Sequence, residues 1–313
     1  MPLSLEQYAD YLDTRSDLPW PAAPTVTPVK AKPHLVALRG IRAVLWNVYG
    51  TLLAIPLGEL LFEHPQAFIM SNALDKTIQE FKMWASMSRK PGQPSDYMLA
   101  IYQQILLENK TGPAGERFPE PASDRIWETI LKRLLQKDYK FDTNFYGALN
   151  EFSRKVAYFF HASLQGTACY PGAAQMVQHL AEKGIVQGLL GEGQSFTPVQ
   201  LARGLRAQDA HLRVPWGEQV TLSYECRGRK PSERLFRLAL ERLQTHKIAA
   251  HEVLHVGSRI KEDILPARRL GMKTALFAGD KASLQATPEQ LKDPLSRPDI
   301  LLTELTQLVE VVT

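Results

Sequence analysis

Six short apolar runs alternate with helical segments, and this alternation restricts the chain to a mostly parallel sheet covered by helices. The runs are Ala43–Trp46, Val186–Leu190, Gln219–Ser223, Glu252–Val256, Thr274–Phe277 and Ile300–Leu302. Helical periodicity fills the stretches Ala173–Glu182, Pro198–Arg206, Ser232–Leu243 and Lys261–Leu270. Parallel neighbours need a crossover of a dozen or more residues, usually a helix, so this order predicts βαβ units. Pro171-Gly172 opens the first of these helices, and Gly184 and Gly271 stand just past two helix ends, where a left-handed residue is wanted. The expected fold class is α/β, a Rossmann-like doubly wound parallel sheet.

One long segment departs from the rhythm. Residues 54–169 carry helical spacings and no clear strand: Phe81, Trp84 and Met87; Ile126, Ile130 and Leu134 beside Leu131 and Leu135; Phe145, Leu149, Phe152 and Val156. The Pro- and Gly-rich stretch Thr111–Pro121 separates two of the helices. This predicts an all-helical domain inserted after the first strand, its aromatic stripes forming a core. The core domain is then 41–53 together with 170–313. Residues 1–40 form an appendage: Ser4-Leu5-Glu6-Gln7 has capping-box spacing, Leu5, Tyr8 and Leu12 share a helical face, and five prolines from Pro19 to Pro33 enforce an extended run. That arm reads as a strap on its own domain or, like the helical insertion, as a contact for a protein partner.

Composition excludes several classes of function. The 44% apolar and 22% charged fractions of the 313 residues are those of a globular protein. The net charge is only +4, and the densest basic cluster is Arg227-Gly228-Arg229-Lys230, so nucleic-acid binding is not expected. No run of about 18 apolar residues exists, and the N-terminus lacks the basic and apolar segments of a signal peptide. Two cysteines, Cys169 and Cys226, build neither a disulfide framework nor a zinc site and suit a reducing compartment. Cytoplasmic residence without membrane contact is the expectation.

In an open parallel sheet, ligands bind beyond the carboxyl ends of the strands where the strand order reverses. Four such ends carry chemistry here: Asn47-Val48-Tyr49-Gly50-Thr51; Gly191-Glu192-Gly193-Gln194; Arg229-Lys230-Pro231-Ser232; and Gly257-Ser258-Arg259-Ile260-Lys261-Glu262-Asp263. In order, spacing and context these resemble the four motifs of the haloacid dehalogenase (HAD) superfamily, and the helical insertion resembles that family's C1 cap. The resemblance implies a role for each position. Asn47 stands where the family has its nucleophilic aspartate, and Tyr49 where phosphatases have an acid–base aspartate and dehalogenase-like members a tyrosine. Gly50 and Thr51 keep the turn. Gly191 replaces a Ser or Thr that holds the transferring group, while Lys230 matches the lysine that neutralises nucleophile and phosphate. Ser258 and Asp263 stand at two Mg²⁺-positioning carboxylates.

A carboxylate serves as nucleophile because it is anionic and is regenerated by hydrolysis; a carboxamide is neutral, its nitrogen lone pair delocalised. With Asn47, Gly191 and Ser258 together, the expectation is a pseudoenzyme that has lost phosphatase catalysis and needs no cofactor, since Mg²⁺ asks for carboxylate charge that Asn47 and Ser258 do not supply. Fewer carboxylates beside Lys230, Arg227, Arg229 and Arg259 predict a net positive cleft. Such a cleft would hold a small anionic or phosphorylated molecule on Lys230, Thr51 and the Gly191 backbone. Glu192, the one new carboxylate at these tips, is expected to be a solvated loop residue. The alternative is an active dehalogenase-like or phosphatase enzyme in which Glu192, Asp263 or an activated water replaces the nucleophile.

Overall fold

Along the central strand, Val44 and Trp46 enter one apolar cluster while Ala43 and Leu45 enter another, so the sheet is buried on both faces. A computed structural model describes residues 1–87 and 92–313. Its strands are β1 (Ala43–Trp46), β2 (Leu53–Ala54), β3 (Ala168–Cys169), β4 (Val186–Gly191), β5 (Val220–Leu222), β6 (Val253–Gly257), β7 (Lys273–Phe277) and β8 (Ile300–Leu302). Six of them form a parallel sheet in the order β5-β4-β1-β6-β7-β8. The chain steps outward from β1 to β5 and then returns to the other side at β6. This reversal opens a crevice beyond the carboxyl ends of β1 and β6.

The helices fall into three groups. Helix α1 (Leu5–Asp13) precedes the sheet; α2 (Ala67–Glu80), α3 (Pro94–Asn109), α4 (Ser123–Leu135), α5 (Thr143–Tyr146) and α6 (Leu149–Leu164) form the insertion. Helices α7 (Ala173–Glu182), α8 (Thr197–Gln208), α9 (Ser223–Cys226), α10 (Glu233–Leu243) and α11 (Leu265–Arg269) belong to the sheet. Leu201 and Leu205 of α8 cover one face of the sheet, and Leu235 and Phe236 of α10 cover the other. The helical insertion has its own cluster, built on Phe81, Trp127, Phe152 and Phe160. Among the described residues no helix is long and apolar enough to cross a membrane.

Four details differ from the sequence expectations. The insertion is bounded by a two-stranded antiparallel ribbon, β2 with β3, whose strands are too short to leave a periodic signal. The Phe81–Met87 spacing is not one helix, because α2 ends at Glu80, Lys82 turns left-handed and Trp84 is exposed. Gly147, at φ +84°, likewise splits the Phe145–Val156 spacing between α5 and α6. The Lys261–Leu270 segment begins as a π turn over Ile260–Ile264 before α11, with Pro266 at the helix start.

The N-terminal forty residues lie against both bodies. Ser4 and Gln7 cap α1 reciprocally, and Tyr8, Ala9 and Leu12 are buried in the insertion's cluster. The extended strap then crosses Gly166 so closely that a β-carbon there would lie 2.1 Å from the Ala22 carbonyl oxygen. It continues along the core, where the Thr27 amide donates to Asp280 at 3.1 Å and His34 and Leu38 bridge to Leu301 and Val312.

Candidate active site

The β1 turn places Asn47 at the crevice, buried to 1% exposure. Its Nδ2 donates to the Tyr49 carbonyl at 2.8 Å and to Thr51 Oγ1 at 3.3 Å, while its Oδ1 accepts from Lys230 Nζ at 2.9 Å. An ammonium only donates and a carbonyl only accepts, so this orientation of the amide is the one the surroundings allow. A carboxylate in the same place would set an oxygen against the Tyr49 carbonyl. Gly50, at φ +81°, makes the turn possible; a β-carbon there would meet Ser283 Cβ at 2.9 Å and Ser258 Oγ at 3.0 Å.

Lys230, after β5 and α9, brings a side chain with no exposed surface to the same point. It contacts Asn47 Oδ1, Asp263 Oδ1 and, at 3.3 Å, Glu192 Oε2. An ammonium has three N–H donors, and here it faces three acceptors. Asp263, from the π turn after β6, also accepts from the Ser258 and Arg259 amides at 2.9 Å each. Burial alone would raise the Asp263 pKa, but the Lys230 ammonium, with His255 and Arg259, holds it well below the usual carboxylate range.

Glu192 is not a solvated loop residue. It is buried to 9% exposure and accepts from Arg259 Nη2 at 2.6 Å. Burial would raise its pKa, and Arg259 and Lys230 together bring it below the ordinary value. Two cations arriving from separate strand ends make the inward position favourable. Nor is the crevice net positive. Lys230 and Arg259 are balanced by Asp263 and Glu192, and Arg229 lies 3.4 Å from Glu59 and 3.7 Å from Glu120. Arg227 points to the insertion, donating to the Thr111 carbonyl at 2.6 Å.

Tyr49 turns its hydroxyl to α8, within 2.9 Å of Thr197 Oγ1 and donating to Gln200 Oε1 at 2.6 Å, and burial raises its pKa. Ser258 Oγ is buried without a hydrogen-bond partner among the described residues. Gly191 is close-packed: a β-carbon would lie 2.5 Å from Asn47 Oδ1.

Two contributors escaped the sequence reading. Glu120, in the loop before α4, is buried and accepts from Gln194 Nε2 at 3.1 Å; burial pushes its carboxyl up to about 7 against the opposing influence of Arg229. Gln194 also donates to the Pro121 carbonyl and accepts from the Ser123 amide, tying the crevice to the insertion. Nothing in the Pro119-Glu120-Pro121 spacing signals either role. The space enclosed by Asn47, Tyr49, Glu120, Glu192, Arg229 and Arg259 is about 20 Å³, room for about one water molecule.

The oxygens at the nucleophile and metal positions are largely engaged already. Asn47 Oδ1 and Asp263 Oδ1 are taken by the Lys230 ammonium and Asp263 Oδ2 by two amides. Among the described residues of the crevice, Ser258 Oγ and single oxygens of Glu192 and Glu120 are buried without a hydrogen-bond partner, whereas Mg²⁺ requires oxygen ligands in near-ideal octahedral geometry. Among the described residues no group of three His, Cys, Asp or Glu side chains is arranged to hold a metal.

A parallel sheet whose β1, β4 and β6 ends meet a lysine beneath a helical insertion defines a HAD-type fold. Residues 41–271 match the haloacid dehalogenase-like hydrolase family, and the chain belongs to it. It is 28% identical over 250 residues to a glyceraldehyde 3-phosphate phosphatase of Pyrococcus furiosus, covering 76% of this chain and 90% of that one. With the enzyme of the same name from Pyrococcus abyssi it shares 25% over 214 residues, 65% of this chain and 78% of the relative. Its fold resembles that of a 2-haloacid dehalogenase from Pseudomonas syringae pv. Tomato DC3000, with a TM-score of 0.51 and 18% identity over 86% of this chain and 97% of the other.

Proposed function

We propose that this HAD-family protein does not carry out hydrolysis through an aspartyl intermediate, its inherited crevice serving as a closed centre held by ion pairs. The supporting observation is the occupation of Lys230: its ammonium donates to Asn47 and Asp263 and lies 3.3 Å from Glu192 Oε2, so an incoming phosphate would have to displace one of these partners. The neutral amide at position 47 and the one-water cavity point the same way. No Mg²⁺ is needed in this reading. Cytoplasmic residence fits two free thiols, Cys169 and Cys226.

A second reading rests on the relatives. Both curated proteins are named phosphatases of a small phosphorylated aldehyde, which favours hydrolysis of a phosphorylated small molecule by non-standard residues. Glu192 is its candidate base, on condition that the Arg259 pair opens. Phosphate release from glyceraldehyde 3-phosphate and a broad phosphomonoester panel, with Mg²⁺, decides between the two. The first reading expects background rates in the wild type. Turnover that disappears in Glu192→Gln and in Lys230→Ala would overturn it in favour of the second.

A further inference from the structure

A second cavity, of about 330 Å³, lies at the junction of strap, insertion and core, away from the strand ends. That volume falls in the range of small-molecule sites. Its apolar wall is Leu12 and Trp20 from the N-terminal arm, with the Trp20 ring held edge-on to Phe159 at a centroid distance of 5.3 Å. The opposite wall, from α8, presents Gln200 and Arg203.

Two polar features of this cavity point to a ligand. Gln200 is buried to 7% exposure and its Oε1 is consumed by the Tyr49 hydroxyl, yet its Nε2 donates to none of the described residues. Arg203 donates to Tyr158 and to Asp13, whose side chain is 59% exposed. An exposed carboxylate at a helix end is a weakly held partner that a better-placed anion can displace. Nothing in the HAD motifs requires either residue.

We propose that this cavity binds a small aromatic carboxylate, its head on the Arg203 guanidinium and the Gln200 amide and its ring against Trp20. A planar, two-oxygen head matches the paired donors of a guanidinium. The lining offers one guanidinium, paired with Asp13, so a singly charged carboxylate that takes the place of Asp13 suits it better than a phosphate dianion. Occupancy would reach the β1 turn through the hydrogen bond from Tyr49 to Gln200.

Isothermal titration of the full chain with phenylacetate tests the assignment, with phenylacetamide and phenyl phosphate as comparisons. The expected result is one site with a Kd below about 1 mM and no heat from phenylacetamide. Arg203→Met should weaken binding by about tenfold or more, and Asp13→Asn, at a position whose side chain is 59% exposed, should tighten it by removing the competitor. Absence of phenylacetate binding at millimolar concentration overturns the proposal. So does an affinity unchanged in Asp13→Asn, and phenyl phosphate binding more tightly than phenylacetate overturns the carboxylate class.

Discussion

Gly191 and Asn47 are shaped to each other: the space that a β-carbon on Gly191 would need, 2.5 Å from Asn47 Oδ1, is the space the amide oxygen uses to reach Lys230. The two departures from the family pattern are one arrangement. Gly191→Ala should therefore cost about 1–3 kcal/mol in the wild-type background. In a chain already carrying Asn47→Ala the cost should be smaller by about 1 kcal/mol or more. A double-mutant cycle by urea unfolding measures the coupling, and additive costs would contradict it.

Asn47→Asp should destabilise the protein without restoring turnover. The new carboxylate oxygen faces the Tyr49 carbonyl and adds a third buried anion to a cluster in which two cations already balance two carboxylates. A loss of about 2–4 kcal/mol is expected, read from the thermal or urea midpoint. A more stable variant, or one that releases phosphate, contradicts the closed-centre reading.

Lys230→Met should be among the most damaging single substitutions, at about 3–5 kcal/mol, because it leaves Asp263 and Glu192 buried with one fewer cation. The same network sets the acid limb of stability. Asp263 is held below its unfolded pKa of about 3.9, so its contribution is present above that value and is lost as pH falls further. Replacing Asp263 with Asn should flatten the stability–pH curve below about pH 4.

Glu120 works in the opposite sense. Its folded pKa, raised to about 7, exceeds the unfolded value of 4.5, so its contribution is full at low pH and is lost as pH rises through that window. The slope reaches at most about 1.4 kcal/mol per pH unit. Unfolding measured from pH 5 to 8 should show this decline, and Glu120→Gln should remove it. A wild-type curve that is flat over the range refutes the assignment.

At Gly166 the strap and insertion touch backbone to backbone, so Gly166→Ala should dislodge the strap where it crosses. Limited proteolysis is expected to cut residues 20–33 faster in the variant, with the core fragment unchanged. Equal cutting rates would mean that the strap is held elsewhere.

Much of the architecture was readable beforehand because it depends on local pattern. The runs Ala43–Trp46 and Ile300–Leu302 are β1 and β8 to the residue, and Ala173–Glu182 is α7. The turn residues at β1, β4 and β6 were readable as a set because βαβ topology fixes where strand ends converge. The direction a side chain takes at such an end was not. Glu192 turns inward because Arg259, 67 residues away in sequence, meets it. Glu120 reaches the crevice from a loop of the insertion whose composition looks like a linker. The net positive cleft failed for the same reason, since counting charges near Lys230 in sequence overlooks carboxylates supplied by Glu59 and Glu120.

The strap has a mechanical consequence. A body whose chain connections to another are a pair of adjacent strands, as the insertion's are through β2 and β3, would by those connections alone keep one easy rotation about that ribbon. An attachment away from the axis removes it. Helix α1 is seated in the insertion while His34 and Leu38 are stitched to the sheet domain, so the arm forms such an attachment, and the antiparallel bridge between Pro119 and Gly228 forms another. With these mounts and the Gln194 contacts to Pro121 and Ser123 added to the ribbon, the two halves of this chain should tumble as a single rigid particle.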